Sequence, residues 1–560
     1  MCVGKDVNVM TNAIEQSGKF GAWLAAVMSV SLFSAVNASA ADPIANTVRV
    51  MSGRFEQNEM LLERLYGGFL KVKTLGGIPK GAADEIEAVE KEFYAAYDSG
   101  DKGQARRLLH RAFSLATGVK WTPKEDFRRS LIVRTNMTVF DPDFPFIARL
   151  EQLYPSQFKP SAPLKLCVAL FNPASARAKK PVKELGMFEY IPRDLIDQPY
   201  TFAVELSDVT DGSWSLRIEV LEGNQSLRRI RLPIRLVSDL AQTRKEIERR
   251  LDAVSGYDNV KASIRYPFEL SREINLGRRQ PRKYNFSAGI KNSLKLLSAI
   301  EEGRDPLTGA IGDQRRHYLL DEANEILPYR IYVPKKYDGK TALPLIVALH
   351  GGGGDENTLL GRPLMRELAE KHGYIVLAPS GYAPYEGYGK PFDEDRNPLL
   401  ARMTRLSELD VMKTLELMRS EYNIDNDRVY LMGHSMGGNG TWRLGAKYAE
   451  NWTALAPIAS GQATPEGFVH AKVASGDAFL GVRKPYDFEA IKHIPVLVCH
   501  GVLDPRARIE NARAMVAKMK ELGMTYEYFE KADGTHAMVA PSLAKVFAFF
   551  NKHRRIPEKR

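Results

Sequence analysis

The chain has 560 residues, of which 44% are hydrophobic and 26% charged, and its net charge is +11. That length exceeds one ordinary core, so about two to four domains are expected. The composition excludes collagen-like, coiled-coil and low-complexity proteins. Lys and Arg are interspersed with Asp and Glu, and no zinc-knuckle, helicase or RNA-binding motif accompanies them. The charge therefore reads as a solvated surface, and no nucleic-acid partner is expected.

The first 40 residues read as an export signal. Lys5 and Lys19 supply positive charge, residues 20–36 form an apolar run, and Ala38-Ser39-Ala40 offers a small-x-small cleavage site. The run is short and rich in Ser and Ala, a poor membrane span, although a retained anchor is the alternative. No later segment is apolar enough to cross a bilayer. A secreted or periplasmic protein without a stable span after cleavage is expected. Of three cysteines, Cys2 leaves with the signal, and Cys167 and Cys499 each sit in an apolar strand. Two buried free thiols fit better than a disulfide.

Residues 41–125 read as helical. Ile86, Val89, Phe93 and Ala96 recur at steps of three and four, and Leu108, Leu109, Ala112 and Leu115 form a second stripe. From 126 to 238 the period becomes two. The alternating sets are Leu164, Leu166, Val168, Leu170; Phe202, Val204, Leu206; Trp214, Leu216, Ile218, Val220; and Ile230, Leu232, Ile234, Leu236. Turns at Asp211-Gly212 and Gly223-Asn224 separate the runs, which predicts a small immunoglobulin-like sandwich. Residues 239–313 return to helix, most clearly over 240–254 and 290–300. A Gly-, Asp- and Pro-rich stretch over 301–313 marks the last boundary. From 314 to 556, near-continuous apolar strands alternate with helices. That pattern predicts an α/β domain with a mostly parallel sheet covered on both faces.

Within that last region the apolar run Val429-Tyr430-Leu431-Met432 leads into Gly433-His434-Ser435-Met436-Gly437 and then a helix. Gly-x-Ser-x-Gly on a strand–turn–helix thrusts a serine hydroxyl clear of the sheet. A serine needs a base, and in this type of fold the chain order is Ser, acid, His. Asp504 lies just past the apolar run 496–501. Only His536 and His553 follow it, and His553 sits in a basic tail. Asp504 and His536 are therefore the expected acid and base. His500 as base, and Asp487 or Asp533 as acid, fit the order less well. A second signal is His350-Gly351-Gly352-Gly353-Gly354, directly after the run 345–349. Its glycines let backbone N–H groups of Gly351 and Gly352 join that of Met436 as an oxyanion hole. Asp355-Glu356 follows in place of Lys-Ser/Thr, which argues against a phosphate loop.

These residues resemble the α/β-hydrolase superfamily. The match is carried by the run 344–350 with its glycines, Gly433-His434-Ser435-Met436-Gly437-Gly438, His500-Gly501-x-x-Asp504-Pro505 and Gly534-Thr535-His536. The pattern is most similar to secreted esterases grouped with polyhydroxybutyrate depolymerases and feruloyl esterases. The resemblance implies nucleophile Ser435, acid Asp504 and base His536; no zinc or calcium ligand pattern accompanies them, and no cofactor is expected. The resemblance says little about substrate; an ester is expected, with a plant polymer or a polyester as candidate sources. Val502 departs from the Asp often found two residues before the acid. No family is recognised for residues 42–303.

His434, Trp442, Tyr382 and Tyr388, together with Tyr385 and Phe392, are candidate substrate contacts. The stretches 381–405 and 461–484 are candidate lids. The expected activity is carboxylic ester hydrolysis through an acyl-enzyme. A prolyl-oligopeptidase-like peptidase is the alternative, disfavoured because the front half shows no propeller repeat. A binding protein on a retired hydrolase fold is the third reading. Acyl and alcohol specificity, oligomeric state and the role of residues 41–313 stay open.

Overall fold

The computed structural model describes residues 69, 72, 78–79, 81–135, 137–144, 146–173, 180–275, 284–383, 387–391, 398–460, 463–468 and 484–555. The export segment lies outside the described residues, as do Cys2, Tyr385, Phe392 and most of 461–484.

Helices α1 (Ala83–Asp98) and α2 (Lys102–Ala116) pack through Ile86, Val89, Phe93, Leu108, Leu109 and Ala112. Asp101 caps α2, its side chain accepting the Gln104 N–H at 2.9 Å. Helix α3 (Pro123–Ser130) starts with proline at its first turn and a Thr122 cap, and it runs across the expected boundary at 125/126.

Eight strands follow: β1 (Leu131–Thr135), β2 (Val139–Phe140), β3 (Phe146–Gln152), β4 (Leu164–Phe171), β5 (Lys183–Ile191), β6 (Tyr200–Val204), β7 (Gly212–Glu222) and β8 (Gln225–Leu236). They form two sheets, ordered β1-β3-β6 and β2-β8-β7-β4-β5. All pairings are antiparallel except β2 beside β8. Leu131, Leu150 and Phe202 of the first sheet share one buried core with Leu166, Ile218 and Ile234 of the second. This is a sandwich, built by the alternation of inward apolar and outward polar residues. Gly223, at φ 58°, makes the tight turn between β7 and β8.

Helices α4 (Leu240–Leu251), α5 (Asp258–Asn275) and α6 (Phe286–Glu301) link the sandwich to the last region. The joint is α5. At one end the Asn275 side-chain oxygen accepts the N–H groups of Thr138 and Val139, both at 2.8 Å. Midway, Tyr266 stacks on His317 with ring centroids 3.8 Å apart. At the other end Asn259 donates to Glu421 at 2.8 Å.

The remaining elements are β9 (Gly312–Leu320), β10 (Glu325–Val333), β11 (Leu343–Leu349), α7 (Asn357–Leu360), α8 (Pro363–His372), β12 (Ile375–Pro379), α9 (Pro398–Glu421), β13 (Ile424–His434), α10 (Met436–Lys447) and β14 (Ala454–Ile458). After them come the short β15 (Ala463–Thr464) and β16 (Gly467–Phe468), then β17 (Val496–Gly501), α11 (Ile509–Glu521), β18 (Tyr526–Lys531) and α12 (Val539–Lys552). One eight-stranded sheet runs β18-β17-β14-β13-β11-β12-β10-β9. It is parallel from β18 to β12, and β10 and β9 add antiparallel strands at one edge. Along β11, Leu345, Val347 and Leu349 enter one core, while Ile346 and Ala348 enter the other. Both faces are covered, which is why the strands read as unbroken apolar runs.

Two elements differ from expectation. Strand β9 begins inside the stretch read as a boundary. Its Arg315-Arg316-His317 run hides a strand, because Arg316 is buried in an ion pair with Glu421 and reaches the Tyr422 hydroxyl. Helix α9 starts at Pro398, so the last part of the candidate lid at 381–405 is helix rather than loop. Cys167 and Cys499 are free thiols, and only Cys499 is fully buried.

Candidate active site

Strand β13 ends at His434 and α10 begins at Met436, leaving Ser435 alone on the turn at φ 57°, ψ −114°. A non-glycine residue there is strained, and the surroundings must hold it. The Ser435 N–H donates to Ile458 O at 2.8 Å, and its carbonyl accepts from Asn439 N at 3.0 Å. The flanking glycines are required by close approach. A Cβ on Gly437 would press on Leu349 O and sit 2.7 Å from His350 O, and one on Gly433 would strike the backbone of Gly437.

Ser435 Oγ lies 2.9 Å from His536 Nε2, and His536 Nδ1 lies 2.7 Å from Asp504 Oδ2. The other Asp504 oxygen accepts the backbone N–H groups of Arg506 at 2.8 Å and Ala507 at 3.0 Å. Burial pushes the Asp504 carboxyl up. The hydrogen bonds from His536 and these two amides outweigh it, so its pKa falls below the ordinary range and the group stays ionised. The acid and base loops are tied together, since Leu503 N donates to Gly534 O at 2.8 Å and Val502 N to Lys531 O at 2.9 Å.

The competing residues are engaged elsewhere. His500 is fully buried, its Nε2 donates to Ala507 O at 2.9 Å, and burial lowers its pKa. Asp487 accepts the Ala490 N–H at 3.0 Å, and Asp533 pairs with Lys531. His553 packs on Phe549 with ring centroids 4.5 Å apart.

Residues 351–354 close a tight turn, Gly354 N donating to Gly351 O at 2.9 Å. Buried His350 anchors it, with one ring nitrogen 2.8 Å from Gly351 O and the other 2.6 Å from Ser380 O. A Cβ on Gly351 would lie 3.3 Å from Ser435 Cβ, so this loop directly abuts the serine. Met436, at the first position of α10, has a backbone N–H with no intrahelical acceptor. Gly351, Gly352, Met436, Ser435 and His536 line one cleft of about 600 Å³. All its described lining residues fall between 351 and 536, and none comes from the front region.

Of the four expected substrate contacts that fall among the described residues, Tyr388 and His434 line this cleft. His434 faces it differently from the expectation: its Nε2 donates to the His536 carbonyl at 2.8 Å. Burial lowers its pKa to about 4, which keeps the ring neutral. Trp442 and Tyr382 are core residues instead. Trp442 is fully buried with its indole N–H on Ser460 Oγ at 3.1 Å, and Tyr382 donates to Glu325 at 2.9 Å. Both belong to the apolar core on one face of the sheet, and an aromatic residue's sequence position alone does not separate core packing from substrate contact. Arg362, Lys390 and Arg506 also line the cleft and were not anticipated, because isolated basic residues on loops carry no periodic signal. Among the described residues no group of three or more His, Cys, Asp or Glu is placed to hold a metal ion.

A serine on a strained turn between a parallel strand and a helix, at the rim of such a sheet, defines the α/β-hydrolase class. Residues 322–538 match the family model described as "Putative esterase". Three curated relatives are similar to this chain. A bifunctional acetylxylan esterase/xylanase, XynS20E of Neocallimastix patriciarum, is 31% identical over 161 residues, covering 29% of this chain and 19% of its own. Feruloyl esterase B of Talaromyces funiculosus is 30% identical over 124 residues, 22% of this chain and 33% of its own. Dipeptidyl-peptidase 5 of Porphyromonas gingivalis is 25% identical over 257 residues, 42% of this chain and 36% of its own. The chain thus spans about a fifth to a third of the length of these relatives. Homology to feruloyl esterases is distant but present.

Proposed function

We propose that this chain is an exported serine hydrolase that cleaves carboxylic esters through an acyl-enzyme. The observation that carries the reading is the unbroken chain Ser435–His536–Asp504, with links of 2.9 and 2.7 Å beside the glycine loop. His536 takes the Ser435 proton as Oγ attacks the ester carbonyl. Asp504 holds the imidazole with Nε2 toward the serine and stabilises the imidazolium as it forms. The oxyanion rests on N–H groups of Gly351, Gly352 and Met436, where each donor is worth about 3 to 4 kcal/mol in the transition state. His536 then protonates the departing alcohol, and water repeats the cycle to free the acid. The proposal includes signal cleavage after Ala40 and domain divisions just before α3, α4 and β9, so that the expected divisions at 125/126 and 313/314 move out of the helix and the strand they would cut. A plant-polymer or polyester ester is the proposed substrate source.

The test is hydrolysis of 4-nitrophenyl acetate by wild type and Ser435→Ala, with fluorophosphonate labelling of Ser435. Undiminished turnover in the variant sinks the assignment. The peptidase reading draws on the dipeptidyl-peptidase relative, whose match covers 42% of the chain. Against it, the front region is helices and a sandwich of three plus five strands, with no blade repeat among the described residues. Faster cleavage of a dipeptidyl amide than of the matching ester would favour the peptidase.

A further inference from the structure

Among the described residues, the cleft above Ser435 is one-sided in charge. Its described lining contains Arg362, Lys390 and Arg506, and no Asp or Glu. The three cations come from three separate segments. Arg362 stands at the cap of α8, beyond the glycine loop, and Lys390 belongs to the segment between β12 and α9. Arg506 stands two residues after Asp504, and its backbone N–H is held by the Asp504 carboxylate at 2.8 Å. The triad acid itself therefore fixes where the Arg506 guanidinium starts. Arg362 is fixed likewise: its N–H donates to Leu359 O, and its carbonyl accepts the Met365 N–H, each at 3.1 Å. Both side chains are exposed, and neither forms an ion pair with a described carboxylate.

Elsewhere on this protein arginines are usually spoken for. Arg330 pairs with Asp313, Arg428 with Asp425 and Arg513 with Glu530. Two guanidiniums from different loops that line the cleft of Ser435, neither with a partner among the described carboxylates, depart from that habit. A guanidinium offers a planar fork of donors that matches a carboxylate and stays charged at every working pH.

Resting on the ester-hydrolase reading above, we infer that the preferred substrates are esters bearing a carboxylate near the scissile bond, recognised by Arg362 and Arg506. The carboxylate can sit on the acyl side, as in a half-ester of a dicarboxylic acid. It can equally sit on the alcohol side, as in an esterified uronic acid or hydroxybenzoate. The chemistry is shared, and paired substrates separate the two sources.

The experiment measures kcat/KM for two pairs. Mono-4-nitrophenyl succinate against 4-nitrophenyl butyrate places the charge on the acyl side. 4-Acetoxybenzoate against its methyl ester places it on the leaving side. Each pair is run with wild type, Arg362→Gln, Arg506→Gln, the double variant and the corresponding lysine variants. The readout is the anionic-to-neutral ratio, in which intrinsic reactivity cancels between variants. The ratio should fall about two- to fivefold for each glutamine variant and about tenfold for the pair, mainly through KM, as expected for partly exposed ion pairs. Lysine should restore most of it, and raising the salt should lower the wild-type ratio. A response confined to one pair assigns the carboxylate to that side. Unchanged ratios in both pairs, with esters still turned over and Ser435 still labelled, overturn this inference alone. No turnover and no label on folded wild-type protein removes the hydrolase reading and this inference with it.

Discussion

The sandwich and the eight-stranded sheet are both β-structures, yet they use their strands differently. In the sandwich, β4, β7 and β8 are antiparallel neighbours, each with one buried face and one solvated face. Their ends point alternately up and down, so no rim collects the ends of several strands. In the last region β11, β13, β14 and β17 run parallel, so their carboxyl ends share one rim. Gly351 follows β11, Ser435 follows β13, Ala459 follows β14 and Asp504 follows β17. Chemistry gathers where parallel strands end together. The sandwich instead leans on the far edge: α5 covers β9, which lies three strands from β11 in sheet order. An open edge strand invites pairing with other chains, and this helix closes it. The Ser435 cleft thus lies at the rim of one region, and under the proposed function the other region would support it.

The comparison breaks at its strongest point if Ser435→Ala keeps its activity. The expected loss in kcat on 4-nitrophenyl acetate is about 10⁵-fold or more, with unchanged circular dichroism. Asp504→Asn should cost about 10⁴-fold, because the imidazole loses the partner that sets its tautomer. Combining the two should cost little more than Ser435→Ala alone, which pre-steady-state assays can resolve. Gly437→Ala attacks the turn itself. Its Cβ would meet Leu349 O and His350 O, so a loss of about 3 kcal/mol or more in urea unfolding is expected. Leu216→Ala probes the supporting region, where a fully buried leucine is removed from the sandwich core. A stability loss of about 2–5 kcal/mol is expected in the transition that unfolds the sandwich, with ester kcat at the wild-type level. A matching fall in kcat would show that the two regions are not separable.

The smallest effect concerns pH. Folding holds His434 neutral with a pKa of about 4, below its unfolded value near 6.5. Between those limits the unfolded chain binds a proton that the folded chain does not. Stability therefore falls as pH drops through that window. Denaturant titrations at several pH values should show His434→Gln flattening this slope by up to about 1.4 kcal/mol per pH unit. An unchanged slope would mean that His434 is solvated in the folded state.

Much of this was written in local patterns. Period-two alternation marks Leu164 to Leu170 as a half-buried strand, and the unbroken run through Leu345 to Leu349 marks a strand buried on both faces. Gly433-His434-Ser435-Met436-Gly437 is legible because a strained turn tolerates few residue types beside it. Chain order then picked out Asp504 and His536, which the structure brings within hydrogen-bond reach of one another and of Ser435. Strand β9 was not legible, because its buried Arg316 is paid for by Glu421, which lies 105 residues away. Trp442 and Tyr382 looked like pocket residues and proved to be core, since an aromatic side chain has the same sequence signature in either place. Nor could the sequence show His434 bracing the His536 carbonyl, or Arg362 and Arg506 arriving at one cleft. Local chemistry is set by neighbours along the chain, and the chain carries it. Which distant loops converge is set by sheet order and packing, and only the folded structure decides that.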